Sequence, residues 1–133
     1  MKQQDLVYIT ETKKRFNEAC IDVLKSIEQK GWALFQIYDV KERLAAKGFQ
    51  HENLKIIEIC SAKHSSSLLQ KNKLTSLCMP CKINVMEEKG RVKIVAMNPS
   101  IMAEFFPEVS KQELGEVEKD IKEIIDNAVN RDR

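Results

Sequence analysis

Apolar residues keep two different rhythms along this chain, and the switch between them limits the folds open to it. Phe16, Cys20, Val23 and Ile27 recur every three or four positions with Lys, Glu and Asp between them, the stripe of a helix with one face in a core. Leu114, Val117, Ile121, Ile124 and Ala128 repeat that spacing near the other end. In between the period falls to two. Cys81, Ile83 and Val85 alternate with Lys82 and Asn84, and Val92 and Ile94 alternate with Arg91 and Lys93. That alternation predicts strands with one buried and one wet face. Two long amphipathic helices bracketing four or five strands predict an α+β fold of two layers: a curved, mostly antiparallel sheet with both helices on one face.

Local signals fill in the order. Leu6 to Ile9 reads as a short edge strand. Thr10 or Thr12 is expected to cap the first long helix and Gly31 to end it. Trp32 to Val40 and Leu54 to Cys60 read as strands, Asp39 to Ala46 as a short helix with Asp39 as its N-cap, and Ala62 to Gln70 as another short helix. Pro80–Glu87 and Arg91–Met97 form a hairpin around Glu88-Lys89-Gly90, where Gly90 supplies positive φ. Asn98-Pro99 ends it, and Ser110-Lys111-Gln112-Glu113 is a capping box for the last helix. With 133 residues, no repeat and no linker, residues 1–133 read as a single domain.

Charge narrows the function classes. Twenty-two basic and 20 acidic residues give a net charge of +2, and the two signs are interleaved, as in Lys41-Glu42-Arg43. Counterion release on nucleic acid needs clustered positive charge, so no nucleic-acid partner is expected. No stretch is long and apolar enough for a membrane span, and Met1-Lys2-Gln3-Gln4-Asp5 lacks the apolar run of a signal peptide. A cytoplasmic location is the expectation, and there the four cysteines read as core residues, metal ligands or reactive thiols rather than disulfides.

The stretches Pro80-Cys81-Lys82-Ile83-Asn84-Val85-Met86-Glu87, Gly90-Arg91-Val92 and Asn98-Pro99-Ser100-Ile101-Met102 resemble the family called domain of unknown function 302. An early helix, the Gly31-Trp32 strand entry, a strand near Glu58 and a short helix with Leu68-Leu69 extend the resemblance over nearly the whole chain. It implies a β-α-β(4)-α fold of the kind also seen in TATA-binding-protein-like domains, and a tendency to form homodimers. It implies no settled activity, and fold alone does not fix function. Where many relatives carry Asn-Pro after the middle strand, this chain has Ser61-Ala62.

The chemistry concentrates in Cys60, His64, Cys78 and Cys81. The spacing is C-x3-H, thirteen residues, then C-x2-C, which matches a four-ligand zinc site in reverse order, with zinc or iron as candidate ions. Cys60 and Cys81 equally suit apolar strand positions, and His64 sits in a Lys-His-Ser-Ser-Ser run that suits solvent. Cys78 and Cys81 are thiol candidates for redox or sulfur-transfer chemistry, although Cys81 opens a strand and so lacks the helix dipole that acidifies thioredoxin-type thiols. Cys20 belongs to the core stripe. Glu58, inside Ile56-Ile57-Glu58-Ile59, is a ligand-binding candidate with Cys60 and Cys81, or a solvent-facing residue. There is no P-loop, no G-x-G-x-x-G and no nucleophile elbow. The expectation is a binding module holding a small molecule or metal at the sheet edge, more a binder than an enzyme. The alternatives are a thiol redox or sulfur-transfer protein, and an interaction domain with no chemical site.

Overall fold

The structure is a computed structural model and describes residues 1–132. Five strands form one antiparallel sheet: β1 (Val7–Thr12), β2 (Ala33–Asp39), β3 (Leu54–Cys60), β4 (Cys81–Glu88) and β5 (Arg91–Met97), in the order β1-β5-β4-β3-β2. A four-residue helix, α1 (Gln3–Leu6), precedes β1. The two long helices, α2 (Phe16–Lys30) and α5 (Lys111–Val129), lie on one face of the sheet. Shorter helices α3 (Val40–Ala45) and α4 (Ala62–Lys71) and two 3₁₀ turns, Lys73–Cys78 and Pro99–Glu104, fill the connections. The expected β-α-β(4)-α order is present. Among the described residues no helix is long and apolar enough to cross a membrane.

The periods read in the sequence are the packing. Phe16, Ala19, Cys20, Val23 and Ile27 of α2 and Val117, Ile121, Ile124, Ile125 and Ala128 of α5 are buried against Ile57, Ile59, Ile83, Val85, Val92 and Ile94 of the sheet. Each Val, Ile or Phe side chain among them contributes about 1.5–3 kcal/mol of transfer free energy. Ser26 Oγ donates to the Ile124 carbonyl at 2.6 Å, a polar tie between the two helices.

The helix ends differ from expectation in one place. Gly31 terminates α2 at φ 82°, with its N–H on the Glu28 carbonyl and that of Trp32 on the Ile27 carbonyl, the left-handed C-terminal motif that glycine permits. The α2 N-cap, however, is Arg15, with no side-chain cap. Thr10 and Thr12 are spent in β1, and Thr12 Oγ1 accepts the Lys14 N–H at 3.2 Å instead. Two caps are those the residues predicted, Asp39 accepting from Glu42 N–H and Ser110 from Glu113 N–H; Ser61, which accepts from His64 N–H, is a cap the sequence reading did not name. Lys89 (φ 52°) and Gly90 (φ 80°) make the two-residue turn of the hairpin.

The sheet face away from α2 and α5 is open. Register puts Ile9 beside Val95 and Val95 beside Asn84 on this face, with Val7 beside Met97 and Glu58 beside Lys82. The alternation therefore holds, but the outer face is apolar at its β1–β5 end.

Candidate functional site

The chain reverses direction twice at one end of the sheet, and those reversals gather the soft side chains. Cys60 is the last residue of β3. Ser61 caps α4 directly after it, which places His64 in the first helical turn. The 3₁₀ turn Lys73–Cys78 brings the chain back, delivers Cys78, and leads through Met79 and Pro80 to Cys81, the first residue of β4. Because β3 and β4 are neighbours, with Ile59 paired to Cys81, the end of one strand meets the start of the other.

Cys60, His64, Cys78 and Cys81 line one small cavity of about 30 Å³, walled by Trp32, Ile59, Leu68, Met102, Leu114 and Val117. That volume admits about one water molecule. The juxtaposition inferred from strand order is therefore present. The environment is apolar, and it acts on the thiols. Burial, reinforced by the neighbouring Cys60 and Cys78, pushes the Cys81 thiol up to about 11, against the pull of Lys82. Cys60 Sγ shares a 3.0 Å hydrogen bond with Ser65 Oγ. All four cysteines are free thiols. Cys20 is buried in the helical core as its spacing predicted, and burial raises it to about 11.

His64 is not solvated. It is only 8% exposed, packs at 5.9 Å between ring centroids against Trp32, and its Nε2 lies 3.1 Å from Asp120 Oδ2 on α5. Lys30 reaches the other oxygen of Asp120 at 3.4 Å and pairs with Glu123. Burial pushes the Asp120 carboxyl up, but the His64 hydrogen bond and the Lys30 charge outweigh it and hold the group below the usual carboxylate range. His64 thus ties the start of α4 to a carboxylate of α5 through its Nε2. Among the described residues no group of three or more His, Cys, Asp or Glu side chains is arranged to hold a metal ion.

Glu58 stands apart from this cavity. It lies on the open face across from Lys82, accepts a hydrogen bond from Tyr38 Oη at 2.8 Å and is half-buried.

Cys78 and Cys81 also border a second, larger space. A groove of about 550 Å³ is lined on the open face by Val7, Lys82, Asn84, Val95 and Met97 and reaches the helical side at Ala96, Met102 and Ile121. Its size falls within the ~300–1,000 Å³ of small-molecule sites. Its polar features are few: the exposed Lys82 and the Asn84 amide, whose Oδ1 is buried without a hydrogen-bond partner. An unsatisfied buried oxygen is uncommon and asks for a reason. Leu77, at 82% exposure, forms one lip. A larger cleft of about 720 Å³ opens elsewhere, beside His51, Glu52, Glu87 and Glu88; its charged, exposed walls suit bulk water better than an apolar ligand.

Sequence reasoning located the thiols and His64 but missed Trp32, Ser65 and Asp120 as their partners, and it missed the groove. The signal for the groove was present: Val95 and Met97 are apolar at positions the alternation assigns to the wet face.

The family described as "Domain of unknown function DUF302" matches residues 8–129. No curated protein matches the chain. The fold is similar to a crystal structure of a conserved DUF302 protein from Bacillus stearothermophilus, with 24% sequence identity, a TM-score of 0.84, and 92% of this chain and 97% of that one covered. At that identity the likeness speaks for the fold.

Proposed function

The chain belongs to the DUF302 family, and from its own geometry we propose that it is a binding module for a small, mostly apolar molecule carrying one polar group. The observation that carries this reading is the groove itself: a mostly apolar space bordered by the thiols of Cys78 and Cys81 and by the polar side chains of Lys82 and Asn84. Apolar walls with a few convergent polar groups are the general form of a ligand site. The Asn84 Oδ1 is buried without a hydrogen-bond partner, an acceptor that a donor group on a bound molecule would satisfy. Lys82 adds a positive charge, which favours a ligand with an acceptor or acidic group.

A cytoplasmic setting, where thiols stay reduced, fits this reading. The homodimer implied by family resemblance belongs to the same proposal. The edge strand β2, with Leu34 and Phe35 exposed, offers it a surface outside the groove. A monomeric mass by light scattering at high concentration contradicts the dimer.

Anilinonaphthalenesulfonate, an apolar fluorophore with one sulfonate, tests the groove. Its fluorescence should rise and saturate at one dye per chain, and Val95→Trp, which fills the groove from the outer face, should weaken binding at least about tenfold. Equal affinity in the variant contradicts the reading.

A further inference from the structure

Three free thiols around one cavity are more than a binding wall requires, and their placement is ordered. Cys78 and Cys81 border both the groove and the closed cavity, whereas Cys60 borders the closed cavity alone. A molecule seated in the groove therefore meets Cys78 and Cys81 first. We propose that the groove takes a low-molecular-weight disulfide and that Cys78 and Cys81 reduce it, a step that rests on the groove being a ligand site.

The chemistry balances on these groups. The Cys78 thiolate attacks one sulfur of the ligand R–S–S–R; a Cys78–S–S–R bond forms, the ligand S–S bond breaks and one RS⁻ leaves. Cys81 then passes its thiol proton to the departing thiolate and attacks the Cys78 sulfur. The protein disulfide forms, the mixed disulfide breaks, and the second RS⁻ leaves and takes a proton from solvent. The ligand gains two electrons and becomes two thiols, and the Cys pair loses two. A low-molecular-weight thiol in excess reverses the sequence and restores the dithiol.

The order of attack follows from the surroundings. Burial holds Cys81 as the neutral thiol up to about pH 11, and the neutral thiol is not the nucleophile. Cys78, of the same intermediate exposure as Cys81, ends its 3₁₀ turn next to the exposed Leu77 on the groove lip and is the groove-wall thiol left to attack. Cys81 needs only to act within the mixed disulfide, where the Cys78 sulfur borders the same cavity and the step is intramolecular.

The test uses the reduced full-length protein and a dipyridyl disulfide as probe. Cleavage at Lys73 and Lys82 leaves both thiols in the one peptide spanning residues 74–82. The expected product is that peptide two hydrogens lighter, with two pyridinethiones released per chain and no lasting adduct. Cys81→Ser should stop at a stable Cys78 adduct with one equivalent released, and Cys78→Ser should lose the fast phase at least about tenfold. A lasting adduct on Cys78 in the unmodified protein, or an unchanged rate in Cys78→Ser, overturns the proposal. The peptide readout on the unmodified protein needs no variant to fold. The two readings fail separately: dye binding that survives while the oxidised peptide never forms leaves the groove and removes the thiol step. An oxidised peptide that forms without any dye binding removes the groove as the ligand's seat and overturns the proposal with it.

Discussion

His64 Nε2 and Asp120 Oδ2 lie 3.1 Å apart, joining the first turn of α4 to the middle of α5 across 56 residues of sequence. This contact fastens the segment that follows Cys60 to the helical layer, with Trp32 packed on the imidazole. Replacing His64 with Ala removes a hydrogen bond to a carboxylate and leaves a void beside Trp32, and should cost about 2–3 kcal/mol. Urea unfolding measures it; a loss under about 0.5 kcal/mol contradicts the buried role.

The same pair sets part of the acid response. A carboxyl held below its usual range stabilises the folded state above its unfolded value of about 3.9, and that contribution is lost as pH falls through the lower folded value. Asp120 is such a group. Asp120→Asn should therefore be less stable than the parent at neutral pH, and the gap should close below about pH 4. Glu113 and Glu118 are also held low, by Lys71 and Ser100 hydrogen bonds among other groups that outweigh their burial, so the variant keeps some acid sensitivity. A gap that stays constant down to low pH contradicts the linkage.

Asp22, on α2, is buried, with Lys14 Nζ at 2.8 Å and Arg131 Nε at 4.0 Å. Asp22→Ala takes the counter-charge from the Lys14 ammonium, which is mostly buried and keeps the Arg131 carbonyl as an acceptor, and should cost about 3 kcal/mol. Asp22→Leu combined with Lys14→Met removes both charges and should recover much of that loss. A double variant no more stable than Asp22→Ala contradicts this account.

The thiols should separate by rate. With Cys81 and Cys20 both raised to about 11 by burial, iodoacetamide near neutral pH should modify Cys78 before either, by at least about tenfold. In Cys78→Ser, Cys81 labelling should still be climbing at pH ~9.5. A plateau well below that pH contradicts the buried neutral thiol.

Much of this molecule was legible because it is local. The Leu54–Cys60 strand, the Asp39 and Ser110 caps, the Gly31 stop and the Lys89-Gly90 turn are each decided within a few residues. The α5 stripe needed only its own period. What escaped was decided by partners far along the chain. Nothing next to His64 announces Asp120 or Trp32, and without them a Lys-His-Ser-Ser-Ser run reads as solvated. Thr10 and Thr12 fit a cap as well as a strand until β5 pairs with them. The groove needs the side chains of β1, β4 and β5 together, and its apolar end contradicts the simple wet-face rule at Val95 and Met97.

The most direct test of the groove as the binding site is to map where a ligand perturbs the backbone. Amide shifts should be followed by nitrogen–proton correlation spectroscopy as anilinonaphthalenesulfonate is added. The account predicts saturable shifts centred on Lys82, Asn84, Val95 and Met97, with Leu77 and Cys78 moving together with them. Shifts centred instead on His51, Glu52, Met86 and Glu87, the walls of the larger cleft, would contradict it.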